Sequence, residues 1–70
     1  VSPIVMDELF DRIIEVARTG IAILMVEQNA NQALSIADKG FVLVQGQNRY
    51  TDTGAALLAD NDVRKAFLGG

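Results

Sequence analysis

An α/β fold is predicted, and three observations predict it. Ile21-Ala22-Ile23-Leu24-Met25-Val26 is a continuous apolar run that ends abruptly in Glu27-Gln28-Asn29. A short run apolar on both faces reads as a strand buried on both faces, the habit of parallel α/β sheets. On either side of it, apolar residues recur at spacings of three and four, the pattern of helices that cover a sheet. A second apolar, β-branched run, Phe41-Val42-Leu43-Val44, follows. In open α/β sheets, chemistry gathers at the carboxyl ends of the strands, so Glu27, Gln28 and Asn29 stand where a site is expected.

Ser2-Pro3 is a helix start. Ser2 can accept from first-turn amides, and Pro3 at the first helical position gives up no bond. Met6, Leu9, Phe10, Ile13, Val16 and Ala17 then form the apolar stripe of an amphipathic helix from about Pro3 to Arg18. Asp7 and Glu8 are expected near the positive end of its dipole, and Asp11, Arg12, Glu15 and Arg18 on its polar face. Thr19-Gly20 ends it, with Gly20 suited to the left-handed cap. After the Ile21–Val26 run, Ala30, Ala33, Leu34 and Ala37 are again helically spaced. Asn29 is a fitting N-cap there, a longer turn before Asn31 being the alternative. Asp38-Lys39-Gly40 breaks that helix, Phe41–Val44 is a strand, and Gln45-Gly46-Gln47-Asn48 turns the chain into a return strand at Arg49-Tyr50-Thr51. Asp52 or Thr53 caps a short helix through Ala55, Leu57 and Leu58; Asp60 caps another over Asn61–Leu68, with Val63, Phe67 and Leu68 as its apolar face. The expected order is α-β-α-β-β-α-α, in one unit without repeat or linker.

Composition excludes several functions. Seventy residues make one small domain at most, and a chain of this length buries only ~60% of its unfolded surface. There is no cysteine and no histidine, so a disulfide framework, a cysteine zinc site and the usual general base are all absent. The net charge of −3 argues against binding a nucleic-acid backbone. The apolar runs fall far short of the ~20 residues of a membrane span, and no basic segment followed by an apolar one marks a signal peptide. The chain starts at Val1 rather than Met, and an origin in something longer is expected.

Val26-Glu27-Gln28-Asn29-Ala30 is followed by Ala33-Leu34-Ser35-Ile36-Ala37-Asp38, the Val42-Leu43-Val44-Gln45-Gly46-Gln47 hairpin, Thr53-Gly54, Leu57-Leu58-Ala59-Asp60 and Val63-Arg64-Lys65-Ala66-Phe67-Leu68-Gly69. In that order these resemble the C-terminal third of an ABC-transporter ATP-binding subunit, and more narrowly the ATPases of branched-chain amino acid importers. The resemblance covers residues 1–70 and implies one partial domain of a P-loop NTPase (RecA-like) fold that lacks the Walker A and Walker B strands. It places Val1-Ser2-Pro3 at the D-loop, at a subunit interface, and Gln28 at the switch (H-loop) position, usually a histidine, that senses the γ-phosphate. It implies ATP and Mg²⁺ in the full-length parent, a second ATP-binding subunit and transmembrane permease subunits as partners, and a cytoplasmic place on the inner face of the membrane. An amide at that position can donate to a phosphate oxygen and accept from water, but cannot titrate. It can position a reacting group and cannot act as a general base.

A G-x-x-x-x-G-K-S/T phosphate loop is absent from the sequence, and with it the backbone amides and lysine that cradle phosphates. The chain alone is therefore expected to bind no cofactor and to be no working ATPase. By chemistry alone Gln28 and Asn29 are strand-end and capping residues, Glu27 a solvated or capping carboxylate, and Ser2 a helix cap. The acid pairs Asp7/Glu8 and Asp60/Asp62 are read as dipole and capping residues, with no metal site among them. The alternative reading is a non-enzymatic module that self-associates, as a homodimer or higher oligomer, through its surplus of apolar residues: half of the chain is apolar. In the resembled fold the Ile21–Val26 strand lies between strands upstream of Val1, and unpaired edges on apolar strands are templates for another chain.

Overall fold

A computed structural model describes residues 2–69; of the Val1-Ser2-Pro3 turn and the Gly69-Gly70 end, Val1 and Gly70 lie outside them. Helix α1 runs from Pro3 to Arg18, as the apolar stripe predicts. Ser2 caps it, its Oγ accepting from the Val5 N–H at 3.3 Å, and Pro3 takes the first position. At the other end Gly20 adopts φ of 97°, the left-handed conformation that L side chains avoid, and the Thr19 and Gly20 N–H groups donate to the carbonyls of Val16 and Ala17. One detail differs. The first turn of α1 carries no acidic residue, so Asp7 and Glu8 lie beyond reach of the exposed amides, and Asp7 is engaged elsewhere.

The expected central strand does not form. Ile21–Val26 runs without regular secondary structure between α1 and α2, and the only sheet among the described residues is two-stranded and built further along the chain. The observed order is therefore α-α-β-β-α-α. A strand exists through its ladder of backbone bonds, and residues 21–26 pair with neither strand of the sheet. All but the half-buried Met25 are exposed, Leu24 at 92% and Val26 at 96%.

The remainder follows the sequence closely. Helix α2 spans Ala30–Ile36 under an Asn29 cap. Strands β1 (Lys39–Val44) and β2 (Gln47–Thr53) pair antiparallel, Lys39 opposite Thr53 and Val42 opposite Tyr50, with an irregularity between Val42 and Leu43. Gln45 and Gly46, at φ of 51° and 76°, form a turn with two left-handed residues, whose twist matches that of a hairpin. Helix α3 covers Gly54–Ala59 and α4 covers Asn61–Phe67. Their caps are Thr53, accepting from the Ala56 N–H at 3.0 Å, and Asp60, accepting from the Val63 N–H at 3.0 Å.

The core gathers Leu34 of α2, Leu57 of α3 and Val63 of α4, with Ala30, Val42, Tyr50, Leu58 and Leu68 packed around them. Phe10 is the one residue of α1 that is buried. Tyr50 of β2 meets Phe67 of α4 edge to face, ring centres 6.1 Å apart. Gly54 lies so close to the Leu34 and Ala37 carbonyl oxygens that a Cβ would overlap both, while its N–H donates to the Asp38 carbonyl. That contact seats α3 on the C-terminal end of α2.

Candidate functional site

The polar triplet that closes the apolar segment is built around one carboxylate oxygen. Glu27 Oε1 accepts from the main-chain N–H of Gln28 at 2.9 Å and from that of Asn29 at 3.0 Å. Two donors converging on one oxygen fold residues 27–29 into a tight turn. Asn29 then caps α2: its Oδ1 accepts from the Gln32 N–H at 3.3 Å and its Nδ2 donates to Gln32 Oε1 at 3.4 Å. Gln32 reaches on to α1, its Nε2 donating to Asp7 Oδ1 at 3.2 Å. A second long-range bond, from Asn31 Nδ2 to the Leu68 carbonyl at 3.4 Å, ties α2 to the end of α4.

Gln28 itself is exposed. Its side-chain amide makes no hydrogen bond among the described residues, so the group stands free at the tip of a turn whose backbone is held. Beside it, the start of α1 and the start of α2 enclose an open groove lined by Pro3, Met6, Asp7, Asn29, Asn31 and Gln32. Of the predicted site residues Pro3 lines this groove, while Gln28 does not and stands next to its Asn29 wall. Ser2 is engaged as the α1 cap. The groove carries neutral amides and one carboxylate and no cation, and no group of three potential metal ligands occurs among the described residues.

Sequence reasoning missed Gln32 and Asp7. A signal was present, since Asn29-x-x-Gln32 has the spacing of a capping residue with an amide three positions on. The reach to Asp7 was not readable, because it joins positions 25 apart.

Over 69 residues the chain is 48% identical to the high-affinity branched-chain amino acid transport ATP-binding protein BraG of Pseudomonas aeruginosa, covering 99% of this chain and 30% of that protein. It is 35% identical over 69 residues to the probable branched-chain amino acid transport ATP-binding protein LivF of Archaeoglobus fulgidus, 97% of this chain and 29% of that one. The chain is a relative of branched-chain amino acid transport ATP-binding proteins. The resemblance carried by Val26–Ala30 and the segments after it is thereby borne out, across nearly every residue. As a relative of these ATP-binding proteins, the chain spans about 30% of the length of the curated ones it matches. No family model matches it, and no solved structure does.

Proposed function

We propose that the chain is part of the ATP-hydrolysing subunit of an ABC importer for branched-chain amino acids, and that Gln28 is its switch residue. The observation that carries this reading is 48% identity over 99% of the chain to a branched-chain amino acid transport ATP-binding protein. In this reading the segment is the C-terminal third of a RecA-like nucleotide-binding domain, and Ile21–Val26 becomes a central strand once flanking strands of the intact domain are beside it. The apolar character of both its faces and its lack of a strand partner among the described residues support that role. The phosphate loop, the metal-binding aspartate and hence ATP and Mg²⁺ belong to the intact protein. The Ser2-Pro3 turn faces a second ATP-binding subunit, and permease subunits anchor the assembly at the inner face of the membrane. No helix among the described residues is long and apolar enough to cross a membrane.

Gln28 contributes a free amide on a fixed turn. Its Nε2 donates to a γ-phosphate oxygen and its Oε1 accepts from the attacking water, which orients both without moving a proton. In an intact ATP-binding protein carrying this segment, Gln28→Ala lowers turnover by about one to three orders of magnitude, the range for a lost positioning donor, and weakens ATP binding less. Unchanged turnover would leave Gln28 a turn residue only. The isolated chain binds Mg-ATP no better than about millimolar, since one amide replaces the many donors of a complete site; a micromolar dissociation constant by calorimetry refutes that.

A second reading, self-association of the isolated chain, is favoured by the exposed apolar side chains of Ile21, Leu24 and Val26. Apolar surface on an unpaired segment is a template for another chain. Sedimentation at micromolar concentration gives a dimer or higher oligomer on this reading; a monodisperse monomer excludes it.

A further inference from the structure

The turn that carries Gln28 is fastened to α1 through one side chain. Gln32 uses its main-chain N–H and its Oε1 on Asn29, at 3.3 and 3.4 Å, and its Nε2 on Asp7, at 3.2 Å. Asn29 in turn shares the Glu27 oxygen with Gln28. Asp7 stands four residues after Pro3, about one turn along α1, and Pro3 lines the same groove as Asn29 and Gln32. A continuous set of hydrogen bonds therefore runs from the start of α1 to the residue beside Gln28.

We propose that Gln32 is a positioning residue that couples the Gln28 turn to helix α1, with Asp7 as its anchor. This deepens, and rests on, the reading of Gln28 as the switch residue. The chemistry at position 32 is demanding, because the side chain must accept from Asn29 and donate to Asp7 at once. A primary amide does both. A glutamate accepts only and sets a second carboxylate against Asp7; a lysine donates only. Any displacement of the first turn of α1, where Ser2 and Pro3 lie, moves Asp7 and reaches the Gln28 turn through this amide. The helix of Pro3–Arg18 and the turn of 27–29 thus move as one body in place of two. Glu27 has the complementary task of fixing the turn, its Oε1 accepting from the N–H groups of both Gln28 and Asn29.

The test is a swap of donor and acceptor in the 70-residue chain, read by amide hydrogen exchange. Gln32→Glu removes the donor, and Asp7→Asn supplies one from the other side, so the double variant D7N/Q32E restores the bond with its direction reversed. Q32E is expected to raise exchange at Gln28, Asn29 and the α1 amides around Asp7 by roughly 2- to 10-fold, the range of one lost net hydrogen bond. The Ala56 and Val63 amides of the capped helices α3 and α4 remain unchanged, which separates uncoupling from unfolding. D7N/Q32E returns exchange to the parent level. Unchanged exchange in Q32E overturns the proposal, as does a double variant no better than Q32E. In an intact ATP-binding protein carrying the segment, Q32E lowers kcat with KM for ATP unchanged, and D7N/Q32E recovers it. Should Gln28→Ala leave turnover unchanged while the exchange results hold, the switch reading fails and the coupling itself stands.

Discussion

Gly54 sits where no other residue fits. A Cβ there would overlap the carbonyl oxygens of Leu34 and Ala37, which are backbone atoms and cannot rotate away. Gly46 presents the opposite case: open space around it, but φ of 76°. Gly46→Ala should cost about 1–2 kcal/mol for the left-handed conformation alone. Gly54→Ala forces α2 and α3 apart, and overpacking of this kind costs ~1–3 kcal/mol or more. A core of this size supplies only ~3–5 kcal/mol. Urea unfolding followed by circular dichroism should therefore show a lowered midpoint for Gly46→Ala and a larger fall, or no folded baseline, for Gly54→Ala. Equal midpoints would mean that α3 does not seat on α2 as described. The requirement at Gly54 is invisible in the sequence, because the two oxygens belong to the last turn of α2 and its C-cap, 17 or more positions earlier.

At the scale of elements, what was legible is what is local. Ser2 and Asp60 cap the helices they were expected to cap, and Asn29 and Thr53 prove to be the caps where an alternative stood open, since a cap needs only a side chain and an amide two or three residues on. The hairpin was legible for the same reason, though its turn is two residues shorter than the expected Gln45–Asn48 and its strands extend to Lys39–Val44 and Gln47–Thr53. Ile21–Val26 was not, because a strand depends on neighbours elsewhere in a chain and no local pattern supplies them. Its exposure makes a prediction that separates it from the core. Leu24→Lys, at a side chain 92% exposed, should leave the unfolding midpoint of the monomer within ~0.5 kcal/mol of its parent while reducing any association seen by sedimentation. Leu57→Ala, at a side chain 3% exposed, should cost ~2–5 kcal/mol and abolish folding. A large loss of monomer stability in Leu24→Lys would show that residues 21–26 pack inside the chain.

Over the whole molecule, the core is one-sided. Leu34, Leu57 and Val63 join α2, α3, α4 and the hairpin, whereas α1 contributes Phe10 and the Asp7–Gln32 bond and leaves Ile4, Val5 and Leu9 half exposed or more. The stripe that predicted the helix is real, yet half of it, Leu9, Val16 and Ala17, is exposed. Local stability follows buried apolar contact, so amide exchange should be fastest in α1 and slowest in the hairpin and α3. Uniform protection across all four helices would contradict the one-sided core. The candidate site divides in the same way. Gln28 was legible through resemblance and Asn29 through capping, while the Asp7–Gln32 contact is a product of tertiary structure. It joins the weakly packed helix to the well-packed remainder.

The chain has a single tyrosine and no tryptophan, and that tyrosine stands edge to face against Phe67 beside the core. Its absorption and emission at wavelengths beyond those of the three phenylalanines are consequently an intrinsic one-site reporter. Light absorbed near the tyrosine maximum reads the docking of α4 on the hairpin and nothing at α1 or the Gln28 turn, so events at the two ends of the molecule can be timed separately without attaching a dye.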